Sequence, residues 1–457
     1  MVPGAGWHGY DGAVTAQGDL DRGRIAVLLA GELDRFRRDR PRSHAMLERA
    51  RAHMPNGVPM AWMVTDNGPP VYIDRGTGAG FTDLDGFSYL DFNASDMAMF
   101  CGHANPSIVA AVQAQVARST QFLLPTPDSV AVAEELARRY PVPFWQFTLS
   151  ATQANTEAIR LARAVTGREV VVLFQGHYHG HFDEGLVDLA DGQARLVQRG
   201  PAKGVTGRVR IAQFNDPGLL KRALEPGDVA LVLTEPAMTN NLHLLSPEPG
   251  WHDGLRSLTR EHGTLLCIDE THTHVVAPGG ATGQWQLRPD MITIGKAVAG
   301  GLPMGAYGVT TGLAGELDAA RNVATGGTLF GNALSAAAAR AALTEVLTPM
   351  AYAHTTALGA ELADGIGRAI GAAGLPWTPI RFGPRSGQWY GPSPRTGEQA
   401  HALTDPELTG LIRVWMANRG VWDAIPGAGP TVPVPATVAD VARYTEAYGE
   451  LLATLTA

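Results

Sequence analysis

Apolar and polar positions follow two periods along this chain. Between 71 and 92 they alternate on either side of Asp85-Gly86, which predicts a hairpin turning at that dipeptide. From about 105 to 323 the pattern changes: unbroken apolar runs at 170–174, 230–234, 265–268 and 291–294 predict buried strands, and helical spacing at 159–165 and 255–262 fills two of the intervals. Strand and helix in alternation predict an α/β domain with a mostly parallel sheet flanked by helices. Helices are also expected over 26–37, over 43–52 after Pro41, and over the Ala-rich 332–346. The expected organisation is an N-terminal segment (1–75), a large α/β domain (76–344) and a C-terminal segment (345–457), the two ends building a smaller α+β domain. The Gly-rich residues 1–18 are expected to be mobile.

With 457 residues and 45% hydrophobic content, the chain has ample material for a large core. A formal net charge of -8 argues against nucleic acid or an anionic membrane as partner. No apolar run reaches the length of a membrane span, and the start of the chain has no basic, apolar leader pattern. Cys101 and Cys267 are too few for a disulfide framework. A cytoplasmic protein is the expectation.

The candidate chemistry begins at Lys296, in Met-Ile-Thr-Ile-Gly-Lys-Ala-Val-Ala-Gly-Gly (Met291 to Gly301), where an apolar strand meets a Gly-rich turn. A lysine at the end of a buried strand offers its amine as a nucleophile for a carbonyl carbon; a lysine that merely snorkels from a strand end is the alternative. Upstream, Leu265 to Ile268 delivers Asp269 to the carboxyl end of another strand. A buried acid and an amine on successive strand ends suit pyridoxal phosphate, whose aldehyde needs the lysine and whose ring nitrogen needs the acid. Ligands of open α/β sheets lie beyond such strand ends, so Glu235, Asp269 and Lys296 are expected in one crevice.

Further motifs follow in a fixed order. Ser150-Ala-Thr-Gln-Ala-Asn155 opens a helix that Gly167 stops; Gly176-His-Tyr-His-Gly180, Thr234-Glu-Pro236, Ile268-Asp-Glu270, Gly295-Lys296 and Gly326-Gly-Thr-Leu-Phe-Gly-Asn332 complete the set. Together they resemble the class III aminotransferases of pyridoxal phosphate fold type I, nearest the glutamate-1-semialdehyde aminomutase branch and the related amine and β-amino acid transaminases. The likeness runs from about Met54 to the C-terminus. It implies catalytic roles for Lys296, Asp269 and Tyr178. The cofactor would be held by Ser150, Ala151 and Thr152 at the phosphate, by Tyr178 and Thr271 on the two ring faces, and by Glu235. Thr328 would reach the phosphate of the neighbouring subunit in a homodimer. Ala151 and Gln153 stand where the family carries Gly and Glu.

The implied activity is transfer of an amino group between an amine or amino acid and a keto acid by a ping-pong route, with an intramolecular aminomutase or an epimerase as the alternative. A carboxylate-binding arginine is sought at Arg381 or Arg385, and Trp62, Met60 and Asp96 come from segments that line the substrate side in relatives. The aminomutases carry a Phe-Glu-Ala-Gly-Phe element where this chain has Pro426-Gly-Ala-Gly-Pro-Thr-Val432. A metal site built from His177, His179 and His181 or from His272 and His274 is weighed and set aside, because both clusters fall on cofactor motifs. A pyridoxal phosphate-binding regulator would need a basic helix-turn-helix module for which residues 1–50 leave too little.

Overall fold

A computed structural model describes residues 20–64, 70–190, 192–320, 323–424 and 427–457; residues 1–18 and Pro426 lie outside them. The central sheet has seven strands in the order Phe144–Thr148, Gly305–Val309, Met291–Ile294, Leu265–Asp269, Val229–Thr234, Val170–Phe174 and Val209–Ala212. The five strands from Met291–Ile294 outward pair in parallel, and Gly305–Val309 runs antiparallel to both its neighbours. Every residue of Val170–Phe174, Val229–Thr234 and Met291–Ile294 is buried. Covered on both faces, these strands need apolar side chains at successive rather than alternate positions, which is the pattern the sequence carries.

The helix Ala151–Thr166 begins at the Ser150 cap, buries Ala154, Ala158, Ile159, Leu161 and Ala162, and ends at Gly167 with φ 69°. Its apolar face joins a cluster with Val171, Leu231, Cys267 and Met291 of the sheet. The Ala-rich segment forms the helix Ala333–Ala341 and a π turn, Ala342–Val346.

A second hydrophobic cluster joins the two ends of the chain, with Ile25, Leu90, Phe92, Leu358, Trp415, Tyr444 and Tyr448 among its members. The expected hairpin is present as Gly80–Asp83 and Ser88–Asp91, with Ile73–Thr77 on its outer edge. Ser88–Asp91 also pairs in parallel with Val421–Trp422. The expected boundary at 75/76 therefore falls inside the first strand of this small sheet, and the hairpin packs with the C-terminal helices. Alternation in the sequence marked these strands, but it carries no information on which partner they take. Among the described residues no helix is long and apolar enough to cross a membrane.

Arg40 pins this assembly. It is 2% exposed; Nε donates to the Tyr89 hydroxyl at 2.6 Å, Nη1 to Asn418 Oδ1 at 3.1 Å, and Nη2 to the Ala417 carbonyl at 3.3 Å. The Tyr89 hydroxyl donates onward to Asp83 at 2.7 Å, and the guanidinium carbon lies 3.8 Å from the centre of the Phe36 ring. One side chain thus links the first helices, the small sheet and the helix Pro406–Asn418. Removing a buried partner strands the charge it matched, so Arg40→Ala is expected to lower the unfolding free energy by about 3–5 kcal/mol. Urea unfolding of the two proteins checks this; a change below about 1 kcal/mol would show that the network contributes no more than a surface pair.

Candidate active site

The carboxyl ends of three neighbouring strands open into one cavity of about 310 Å³. Glu235 follows Thr234, Asp269 closes its strand, and Lys296 comes one residue after Gly295; all three line the cavity. Lys296 holds a left-handed backbone, φ 54°, which costs a side-chain-bearing residue about 1–2 kcal/mol. Gly295 lets this turn lie against the helix that starts at Ala151: a Cβ at 295 would stand 2.9 Å from both the Ala151 Cβ and its backbone nitrogen. That close approach sets a strand end and a helix start on the same wall.

Asp269 is the most constrained group in the site, 2% exposed. Its Oδ2 accepts from Asn155 Nδ2 at 2.8 Å and from His179 Nδ1 at 2.9 Å, and its Oδ1 accepts from the Thr271 N–H at 2.9 Å. Burial alone would push this carboxyl up, but the hydrogen bonds from His179 and Thr271 outweigh it and hold the group below the usual aspartate range. Asn155 is itself fixed, accepting from the Thr293 hydroxyl at 2.6 Å and donating to the His179 carbonyl at 2.7 Å. The next residue, Glu270, anchors the loop beyond by accepting from the Thr273 hydroxyl at 2.6 Å and the Ala281 N–H at 3.2 Å. Glu235 differs: its carboxyl rises to about 7 through burial, against the hydroxyl of Thr239 that donates to it at 2.6 Å.

Ser150, Ala151 and Thr152 form the cavity wall at the helix start. The Ser150 hydroxyl accepts from Gln153 N at 3.3 Å while Gln153 Oε1 accepts from Leu149 N at 2.9 Å. Gln153 thus closes the cap as a glutamate would, without placing a negative charge beside the helix N-terminus. The Ala151 and Thr152 N–H groups belong to the first turn, where the helix provides no acceptor for them. Across the cavity, Thr271 Oγ1 is buried without a hydrogen-bond partner. Tyr178 lines the cavity with its ring centroid 5.3 Å from that of Trp62, tilted by 58°. Free first-turn N–H groups, an orphaned hydroxyl, an aromatic face and an ionised carboxylate fit a phosphorylated, nitrogen-containing aromatic ring.

The cavity thus gathers Lys296, Asp269, Tyr178, Ser150, Ala151, Thr152, Glu235, Thr271 and Trp62. Arg381 lies elsewhere, 53% exposed and paired with Asp364 on the surface, because it faces away from the sheet on Thr378–Phe382. Thr328 is exposed in a turn, its carbonyl accepting from Gln121 Nε2 at 2.7 Å, and is outside this chain's cavity. Arg385 stands just behind the wall, 2% exposed; it donates to the carbonyls of Thr239, at 2.8 Å, and Ala428. Its Nη1 lies 3.5 Å from His272 Nδ1.

Sequence reasoning assigned no role to Asn155, His179 or His272. An asparagine on an otherwise small, apolar helix face was the available signal for the first. The histidines that suggested a metal serve otherwise: His179 holds Asp269, His177 stacks on it with centroids 5.4 Å apart, and the His181 N–H donates to the Thr152 hydroxyl at 3.2 Å. Among the described residues no group of three or more His, Cys, Asp or Glu side chains is placed to hold a metal ion.

Comparison with known proteins agrees with this geometry. Residues 63–370 match the family Aminotransferase class-III. A glutamate-1-semialdehyde 2,1-aminomutase of Brevibacillus brevis is 33% identical over 421 residues, covering 90% of this chain and 97% of that protein. Among solved structures, a glutamate-1-semialdehyde aminomutase from Pseudomonas aeruginosa superposes with a TM-score of 0.92 at 37% identity, covering 95% of this chain and 99% of the other. An omega-transaminase from Sphaerobacter thermophilus does so with a TM-score of 0.84 at 28% identity, covering 91% and 98%. The strand-end lysine and aspartate, the helix start between them and these matches together make the chain a member of the class III aminotransferases, pyridoxal phosphate-dependent enzymes of fold type I.

Proposed function

We propose that this protein moves an amino group from an amine or amino acid to a keto acid in two separable half-reactions, with pyridoxal phosphate as cofactor. The observation that carries this reading is the meeting of Lys296, Asp269 and a helix N-terminus in a single cavity. When bound, the cofactor supplies an electron-withdrawing ring that takes up the electron pair left by a departing α-proton. Asp269, held ionised by His179 and Thr271, keeps a proton on the ring nitrogen. The first-turn N–H groups of Ala151 and Thr152, with the Ser150 and Thr152 hydroxyls, receive the phosphate at the positive end of the helix dipole. Tyr178 and Thr271 would confine the ring, and Glu235 lines the cavity with Asp269. Lys296 would hold the cofactor's aldehyde through Nζ, and the same amine, when free, would serve as the base that takes up the substrate's α-proton and gives it back.

Arg385 is the proposed receptor for a substrate carboxylate. Its guanidinium is buried, and its Nε has no partner while Nη1 and Nη2 meet His272 and the carbonyls of Thr239 and Ala428. A homodimer is supported by the exposed apolar residues Phe122, Leu123, Leu124 and Leu329, which flank the Gln121 contact to Thr328; Thr328 would then serve the partner's phosphate. Two buried free thiols, Cys101 and Cys267, fit a reducing, cytoplasmic setting.

The aminomutase reading is favoured by the names of the relatives. Against it, the described part of the segment that replaces the aminomutases' glutamate element, 427–432, carries no carboxylate, and its Ala428 carbonyl is occupied by Arg385. No charged side chain there is available to hold a second amine.

Each assignment has a measurable consequence. Lys296→Ala is expected to lose several orders of magnitude in turnover, of which proton transfer alone accounts for about 10²–10⁴-fold; borohydride reduction followed by mass spectrometry should attach the cofactor to the wild type and not to the variant. Activity within tenfold of wild type would remove Lys296 from the mechanism. Asp269→Asn keeps shape and loses charge. Rapid-mixing spectroscopy should then show cofactor binding retained and α-proton removal slowed at least tenfold, since a tenfold change corresponds to ~1.4 kcal/mol; an unchanged rate would discard the ring-nitrogen role. The overall reading turns on a third measurement. An amine added alone should convert the cofactor stoichiometrically to its amine form with release of a carbonyl product, and a keto acid added afterwards should restore the starting absorbance. Efficient turnover of glutamate-1-semialdehyde to 5-aminolevulinate, with no transfer to any keto acid, would establish the aminomutase instead.

A further inference from the structure

Asp96 lines the cavity and has been given no chemical role above beyond its place in a segment expected on the substrate side. Its side chain meets Lys296 Nζ in the one ion pair that Lys296 makes among the described residues. We propose that Asp96 is the counter-anion of the Lys296 nitrogen, fixed in place by His272 and Arg385, and that it keeps that nitrogen protonated once Lys296 is joined to the cofactor. The proposal rests on the cofactor assignment made above.

Three observations support it. First, Asp96 belongs to a left-handed turn of four consecutive non-glycine residues, Ala94, Ser95, Asp96 and Met97, with φ between 46° and 66°. The turn is closed by Met97 N donating to the Asn93 carbonyl at 3.1 Å and Met99 N to the Ala94 carbonyl at 2.8 Å. Left-handed backbone costs about 1–2 kcal/mol for each such residue, and concentrated strain of this kind collects where a side chain must be aimed. Second, Asp96 uses only one oxygen on Lys296. The other, Oδ1, is buried without a hydrogen-bond partner and faces His272 Nε2, equally unpartnered, at 3.8 Å. Third, His272 is oriented from behind. The Arg385 guanidinium can only donate to His272 Nδ1, so the ring proton resides on Nε2 and points toward Asp96. Arg385, His272, Asp96 and Lys296 form a line from the C-terminal part of the chain to the reacting nitrogen.

The surrounding groups leave Asp96 as the partner for that nitrogen. Burial, then the charges of Lys296 and Arg385, push His272 well below its ordinary range, and burial, with Arg139 and Lys296, takes His274 down to about 4. Burial, with Asp96 beside it, pushes the Tyr178 hydroxyl upward. Near neutral pH these three are uncharged. Asp269 is occupied by Asn155, His179 and Thr271, and Glu235 by Thr239. An amine substrate arriving as its ammonium ion would be drawn to the same Asp96 carboxylate.

The test uses the enzyme loaded with pyridoxal phosphate. The pH midpoint at which its long-wavelength absorbance changes reports the proton on the nitrogen joined to the cofactor. Asparagine accommodates left-handed backbone at least as readily as aspartate, so Asp96→Asn preserves the turn, and Asp96→Gly provides a second variant for which φ is unrestricted. Both are expected to lower the midpoint by about 1–3 pH units, the effect of removing an opposite charge in contact, and thermal melts establish that both fold. A merely structural role would alter the melts and leave the midpoint where it was; variants that fold, hold cofactor and titrate like the wild type would overturn the proposal. If the wild type itself develops no long-wavelength band with pyridoxal phosphate, the cofactor assignment fails, and the role of Asp96 fails with it for that separate reason.

Discussion

A carboxylate buried at the end of a central strand must be fully satisfied or the fold cannot keep it, and the site is built outward from that requirement at Asp269. Its three hydrogen bonds come from three places: Asn155 on the first helix after the sheet's edge strand, His179 on the loop after Val170–Phe174, and the backbone of Thr271. Holding those donors in place also places the helix start, the Tyr178 ring and the Thr271 hydroxyl. Replacing His179 or Asn155 with an apolar residue would leave a buried charge short of a partner and release the loops together. The cofactor pocket and the electrostatics of the sheet end are therefore one design.

The second constraint is that both ends of the chain serve this cavity although neither belongs to the main sheet. The hairpin that leads to Asp96 is locked to the C-terminal helices through Arg40 and Tyr89, and Arg385 brings the C-terminal part of the chain up against His272. The sheet supplies Lys296 and Asp269 to the cavity, while Trp62 and Asp96 line it from outside the sheet and Arg385 lies behind them against His272.

Much of this was legible in the sequence, and the reasons for success and failure are physical. Strands buried on both faces leave continuous apolar runs, so 170–174 and 291–294 were bounded correctly, and Gly167 announced the end of its helix. Lys296, Asp269 and the Ser150 cap were legible because a polar residue at the end of an apolar strand or helix stands out. Partnerships were not. The hairpin was assigned to the large domain because periodicity records which face a residue shows and not which neighbour it meets. Arg381 and Arg385 look alike in sequence, four residues apart, yet one sits on the surface with Asp364 and the other is buried beside His272. His179, the key partner of Asp269, lies 90 residues from it, a distance at which no local pattern operates.

The antiparallel strand Gly305–Val309 has a consequence for how the protein is made. The edge strand Phe144–Thr148 pairs with it alone, so the helix start that follows Thr148 has no completed sheet beneath it until roughly 160 further residues have been added. At ribosomal speeds of about 5–20 residues per second that is on the order of ten seconds or more, during which Trp145 and Phe147 are without their strand partner. A nascent chain in this interval carries an open, apolar strand edge, the feature most prone to wrong pairing. Lys296 is also made within that window, a few residues before the closing strand. Lys296 and the helix start at Ser150 therefore share one cavity wall only once the sheet has closed.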